Sequence, residues 1–157
     1  MRYVEGPTVE VSTFIGAAPE VVWALVTDID LPARFSSEYR GGTWVDDTTF
    51  RGRNHHDAIG DWETTCFVVT RDEPRVFEWA VSDAADPSAS WRFTLEPEGD
   101  GTRLTQWMRI GPAPSGLSPA SQAMPDKEER IIERRLAEHR RNMEANLEGI
   151  KGLAENR

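Results

Sequence analysis

The sequence holds a single cysteine, Cys66, among 157 residues. One thiol excludes an internal disulfide and any zinc site built from several cysteines. Long apolar runs are missing too. None approaches the roughly 20 residues that a membrane-spanning helix requires, so no membrane insertion is expected. The N-terminal MRYVEGPTVEV has no apolar stretch of the kind a secretory signal needs, and the expected location is cytoplasmic. Positive charge is scarce: 18 Lys and Arg face 27 Asp and Glu, for a net charge of −9. Such a chain repels phosphate backbones and anionic headgroups, which argues against nucleic acid or a membrane surface as a partner. The excess acid is not uniform, because Asp126–Lys151 carries seven residues of each sign. The sequence carries no signal for an oligomeric state.

What is present is globular in composition, with 38% hydrophobic and 29% charged residues. The length suits one domain, 1–157, with enough chain to close a core around a guest. Thr8–Ile15 alternates Val9, Val11, Thr13 and Ile15 against Thr8, Glu10, Ser12 and Phe14, which reads as a strand. Pro19 and Glu20 then suit the first turn of a helix. Val22, Leu25, Val26 and Ile29 form its apolar stripe, and Asp30-Leu31-Pro32 opens a second short helical piece towards Phe35.

From Glu38 the period changes to two. Six strand-like runs follow: Tyr39–Val45, Thr49–His56, Asp61–Arg71, Arg75–Ser82, Ala89–Pro97 and Thr102–Ile110. The short breaks between them imply antiparallel neighbours in a meander. Ser118-Pro119 can open a helical turn after a Pro/Gly/Ser loop. Asp126–Leu153 then reads as a long helix with Ile132, Leu136, His139, Met143, Leu147, Ile150 and Ala154 on one face. The fold class is therefore α+β: a curved seven-stranded antiparallel sheet wrapped around one long C-terminal helix, with two short helices after the first strand. One helix cannot cover seven strands lying flat, so the sheet must curl, and a curled sheet leaves a void beneath the helix.

This order, with TVEVSTFIGAAPEVVWALVTDIDLPARF and the later FRGRNHHDAIGDWETTCFVVTRDEPRVFEW, resembles the START-like helix-grip superfamily. Within it, the chain is similar to the polyketide cyclase/dehydrase branch, a group of small bacterial proteins. The resemblance runs from Val9 to about Ala154 and implies a deep apolar cavity between the helix and the concave sheet face. The superfamily includes lipid carriers, ligand binders and aromatase/cyclases. The implied function is to hold a small hydrophobic molecule, aromatic or polyketide-like among the candidates, as a carrier or sequestering protein. The alternative is a polyketide cyclase/dehydratase working in the same cavity. Neither reading calls for a cofactor.

Six tryptophans stand out in the sequence. Trp79 alternates with Phe77 and Val81, and Trp91 with Phe93 and Leu95, so these rings serve either the core or a cavity wall. Gln106 interrupts an apolar face with Leu104, Met108 and Ile110; its amide bonds either a ligand or a neighbouring polar group. Asn54 and His56 share a face with Phe50 and Gly52, an acid–base pair if that face is concave, with the alternative that His56 flanks the Asp57–Gly60 turn in solvent. Thr64 lies on the Trp62/Thr64/Cys66/Val68 face of its strand, which is as apolar as the Phe67/Val69 face, so the sequence leaves open which one turns inward; Met108 lies on the sheet and Met143 on the long helix. The expected ligand-contacting set is thus Asn54, His56, Thr64, Phe77, Trp79, Gln106, Met108 and Met143, and Asn54 and His56 are the catalytic candidates.

Other polar residues read differently. Adjacent strand residues point to opposite faces, so His55 and His56 cannot readily share a metal with Asp57 and Asp61, and no metal is expected. Cys66, inside an apolar strand, reads as a buried inert thiol. Arg51 and Arg53, and the Arg/Glu pattern of the last helix including Glu138, read as solvated charge.

Overall fold

The computed structural model describes residues 2–115 and 117–156. β1 (Thr8–Ile15) leads into α1 (Pro19–Val26) and a 3-10 turn at Leu31–Arg34. Six strands follow: β2 (Tyr39–Trp44), β3 (Thr49–His56), β4 (Gly60–Asp72), β5 (Val76–Val81), β6 (Ala89–Glu98) and β7 (Gly101–Ile110). The chain ends with α2 (Ser118–Ala123), a 3-10 turn at Pro125–Lys127 and α3 (Glu128–Glu155). Strand boundaries differ from the sequence reading by at most one residue, and α3 begins two residues later and ends two later. No helix among the described residues is long and apolar enough to cross a membrane.

All seven strands join one antiparallel sheet in the order β1-β7-β6-β5-β4-β3-β2. The meander places β1 against the last strand, so β1 and β2 are the two edges. Register shifts at Tyr39/Gly41 and at Val68/Thr70 add the local twist that lets a sheet curl. Gly41 has φ of 119°, and a Cβ there would lie 2.8 Å from Arg53 Nη2, so glycine permits the register shift within β2.

Burial alternates along β1 as the sequence implies, with Val9, Val11 and Ile15 inward. On α1 the buried face is Val22, Trp23, Leu25 and Val26. Thr27 Oγ1 donates to the Trp23 carbonyl at 2.8 Å and closes that helix. Ile132, Met143, Leu147, Ile150 and Ala154 of α3 are buried with Phe77, Phe93, Leu95, Leu104 and Met108 of the sheet.

The last turns of α3 are fastened to the β1 edge. Lys151 Nζ donates to the Phe14 carbonyl at 2.6 Å, and the Gly16 N–H donates to Glu155 Oε2 at 2.8 Å. Phe35 lies flat against Gly149, where a Cβ would collide with the ring. The middle of α3 spans the concave face without filling it. That gap is the void the strand count predicts.

Candidate functional site

A cavity of about 510 Å³ lies between residues 135–146 of α3 and the concave face. This is within the range of small-molecule sites, roughly 300–1,000 Å³. Its sheet wall is aromatic. Phe50, Phe77, Trp79, Trp91 and Phe93 line it, with Trp62 from β4. Trp79 and Trp91 are cross-strand partners whose rings lie nearly parallel, 11° apart with centroids at 6.3 Å. Phe50 meets Trp79 edge-on at 5.8 Å, so the panel is mutually braced. Trp23, Trp44 and Trp107 are not among the wall residues.

The sequence alone left open which face of β4 turns inward. Trp62, Thr64 and Cys66 line the cavity, whereas Phe67 and Val69 do not. Asn54, Phe77, Trp79, Gln106, Met108 and Met143 are also wall residues. His56 is not. The Cys66 thiol is buried, and burial pushes its pKa up to about 11, which keeps it protonated.

His56 faces α3 instead. The Ala58 N–H donates to His56 Nδ1 at 3.0 Å, which puts the neutral ring's proton on Nε2, 3.1 Å from Glu138 Oε2. His55 turns to the other side, with Nδ1 2.6 Å from Asp61 and Nε2 3.2 Å from Asp57. Glu138 therefore corrects the reading of a uniformly solvated helix face. Arg135 Nη1 donates to Glu138 Oε1 at 3.0 Å and to Glu38 Oε2 at 2.9 Å, and Nη2 donates to Glu38 Oε1. The Arg135 and Glu38 side chains are each 11% exposed. Burial alone would raise the Glu138 pKa, but the hydrogen bonds from Arg135 and His56 hold it below the usual carboxylate range. This chain of four residues ties α3 to the start of β2 and the end of β3 beside the cavity. Periodicity could not reveal it, because its members lie 97 and 82 positions apart.

Arg135, His139, Asn142 and Asn146 recur at steps of 4, 3 and 4, so α3 presents a polar stripe to the cavity. The Asn142 amide oxygen accepts from the Ser37 N–H at 3.0 Å and from Ser37 Oγ at 2.9 Å. Asn146 Nδ2 donates to Gln106 Oε1 at 3.4 Å. Gln106 thus has a side-chain neighbour and also lines the cavity. The His139 ring packs edge-on against Trp91 at 5.4 Å. His139 is a wall residue of the cavity. Burial, reinforced by the Arg135 charge, lowers its pKa to about 3, so the ring is neutral at ordinary pH. The signal was visible in the sequence: His139 is the titratable residue within the apolar steps of α3.

That neutrality has a cost in acid. The unfolded chain takes up a proton near pH 6.5, the folded chain only near 3, so between these values acid favours unfolding. The slope from this residue is about 1.4 kcal/mol per pH unit. His139→Leu should therefore lose about 2 kcal/mol less stability than the parent between pH 7 and pH 5. Urea melts at the two pH values check this; equal losses in both proteins would refute the burial of the imidazole.

The model of the family described as polyketide cyclase/dehydrase and lipid transport matches residues 6–151. This chain belongs to that family. A polyketide-cyclase-like protein of Corynebacterium glutamicum is 28% identical, with a TM-score of 0.66 over 93% of this chain and 90% of its own. An aromatase/cyclase from a Streptomyces strain superposes with a TM-score of 0.67 at 18% identity, covering 97% and 95%. A START superfamily protein of Mycobacterium smegmatis gives 0.56 at 15% identity, covering 83% and 97%. The last two likenesses speak for the fold alone. Among curated proteins there is no match.

Proposed function

We propose that this member of the polyketide cyclase/dehydrase and lipid transport family holds a small hydrophobic molecule in the α3 cavity, as a carrier or sequestering protein. The observation that carries this reading is the aromatic wall around about 510 Å³ of space. Concave apolar surface of this kind gains free energy when a ligand replaces its water, at roughly 25 cal/mol per Å² of apolar area buried.

The family's description as polyketide cyclase/dehydrase suggests a second reading, ring closure in the same cavity. Proton transfer works best through a group whose pKa lies near the working pH. The imidazole on the wall, His139, is held neutral. His56 is committed to Glu138. Both facts weigh towards binding without covalent chemistry.

Titrating apolar aromatic ligands against tryptophan fluorescence tests the reading. The parent should bind with about micromolar affinity. Trp79→Ala, measured on folded protein, should weaken binding about tenfold through lost ring contact, while Arg51→Ala, on the outer face, should leave it unchanged. Fluorescence that responds to no hydrophobic ligand would end the proposal. His56→Ala extends the test to the second reading: a pH-dependent turnover that vanishes in this variant would make the protein an enzyme.

A further inference from the structure

Cavities for hydrophobic ligands differ in how they treat a charged end. Among the described wall residues the only Lys or Arg is Arg135, and both of its terminal nitrogens are already engaged by Glu38 and Glu138. The remaining ionised groups on the wall, Asp28 and Glu63, are acids exposed to solvent. Among the described wall residues no free cation therefore waits for a carboxylate or phosphate. An anion entering here would lose its water without gaining a partner, and would approach a wall whose charge is already negative.

The polar stripe of α3 is not equally available to a guest. Arg135 is taken, the Asn142 oxygen serves Ser37, and Asn146 Nδ2 is engaged with Gln106, which leaves Asn146 Oδ1 as an acceptor without a partner and without an adjoining donor of its own to match a hydroxyl group. His139 is different. Among the described residues its ring nitrogens make no hydrogen bond to protein, although the ring is held in place against Trp91. A neutral imidazole offers one N–H and one lone pair, a match for a hydroxyl group, which both donates and accepts. A carboxylate can use only the N–H. Burial keeps the ring uncharged, so it cannot become the missing cation.

We infer that the cavity selects an uncharged ligand carrying a hydroxyl group, and that His139 is the specificity-determining residue that hydrogen-bonds it. The inference rests on the binding function proposed above and adds to it both a charge rule and a named contact.

Three probes sharing one ring system separate the possibilities: naphthalene, 2-naphthol and 2-naphthoate, measured by equilibrium dialysis at pH 7. The parent should bind 2-naphthol about tenfold or more tighter than 2-naphthoate, because the ionised carboxylate finds no free partner. His139→Leu should weaken 2-naphthol about 2- to 12-fold, the range for one net hydrogen bond, and leave naphthalene unchanged. His139→Gln, which keeps a donor and an acceptor, should restore part of the preference. Circular dichroism confirms that each variant is folded. Equal affinity for 2-naphthol and 2-naphthoate would overturn the charge rule. Equal weakening of 2-naphthol and naphthalene by His139→Leu would overturn the role of His139. If none of the three probes binds the parent, the failure lies with the binding function itself.

Discussion

Arg135→Met should lower stability by about 3–5 kcal/mol, the usual loss when one partner of a buried ion pair is removed. Two carboxylates depend on this guanidinium. Glu38 is 8% exposed as a residue, and Glu138 draws on Arg135 as well as on His56. Without Arg135, Glu38 loses its ion-pair partner and Glu138 keeps only His56. Arg135→Met combined with Glu38→Leu should recover much of the loss, because methionine and leucine replace a costly desolvated pair with apolar contact. The pH dependence has a definite sign. The lowered Glu138 pKa contributes stability above the ordinary carboxylate value of 4.5 and loses it as pH falls through the folded-state pKa. The gap between parent and Arg135→Met should therefore narrow below about pH 4.5. Urea melts at pH 7 and at pH 4 measure both effects. A variant as stable as the parent at pH 7 would mean that the four-residue chain contributes nothing.

Leu147→Ala should cost about 2–5 kcal/mol, the range for truncating a leucine in a packed core. Leu147 is 2% exposed among the core residues of α3 and the sheet, and its surroundings are backbone-anchored strands that cannot collapse into the gap. Leu136, three turns earlier on the same stripe, is only partly buried. Leu136→Ala should cost less than half as much, since part of its surface is never removed from water. Equal losses at the two positions would mean that α3 is seated on the sheet uniformly along its length, leaving no cavity beneath its middle. The contrast between the two leucines thus tests the void itself, independently of any ligand.

How far the fold was legible follows from which forces are local. The alternation in β1 and the heptad-like steps from Ile132 to Ala154 are written in consecutive residues, and both elements form where the pattern places them. The short polar breaks between Tyr39 and Ile110 imply the meander, and its register follows once one face must be buried. The requirement that one helix cover seven strands anticipates a curled sheet and a void. The wall itself was partly legible. Trp79 and Gln106 lie on the stripe that turns inward, but nothing local decided between the two apolar faces of β4. That choice was made by pairing: Cys66 opposite Phe50 and Val81 places the Trp62/Thr64/Cys66 side beneath α3.

The polar interior was the less legible part. His56 has the right residue type and strand position for a cavity group, yet it turns to Glu138, which reads in sequence as one more solvated acid. Arg135 likewise looks like surface charge until Glu38, which precedes β2, is brought against it. The amino-acid sequence by itself determined the strand and helix periods, the antiparallel order and the aromatic supply, because these depend on alternation and spacing within a few residues. Only the tertiary structure decided which polar groups pair, which ring stays neutral and which end of the cavity is left free to meet a guest. Hydrogen bonding and desolvation act between atoms a few ångströms apart, and in this fold those atoms come from residues up to 139 positions apart in the chain.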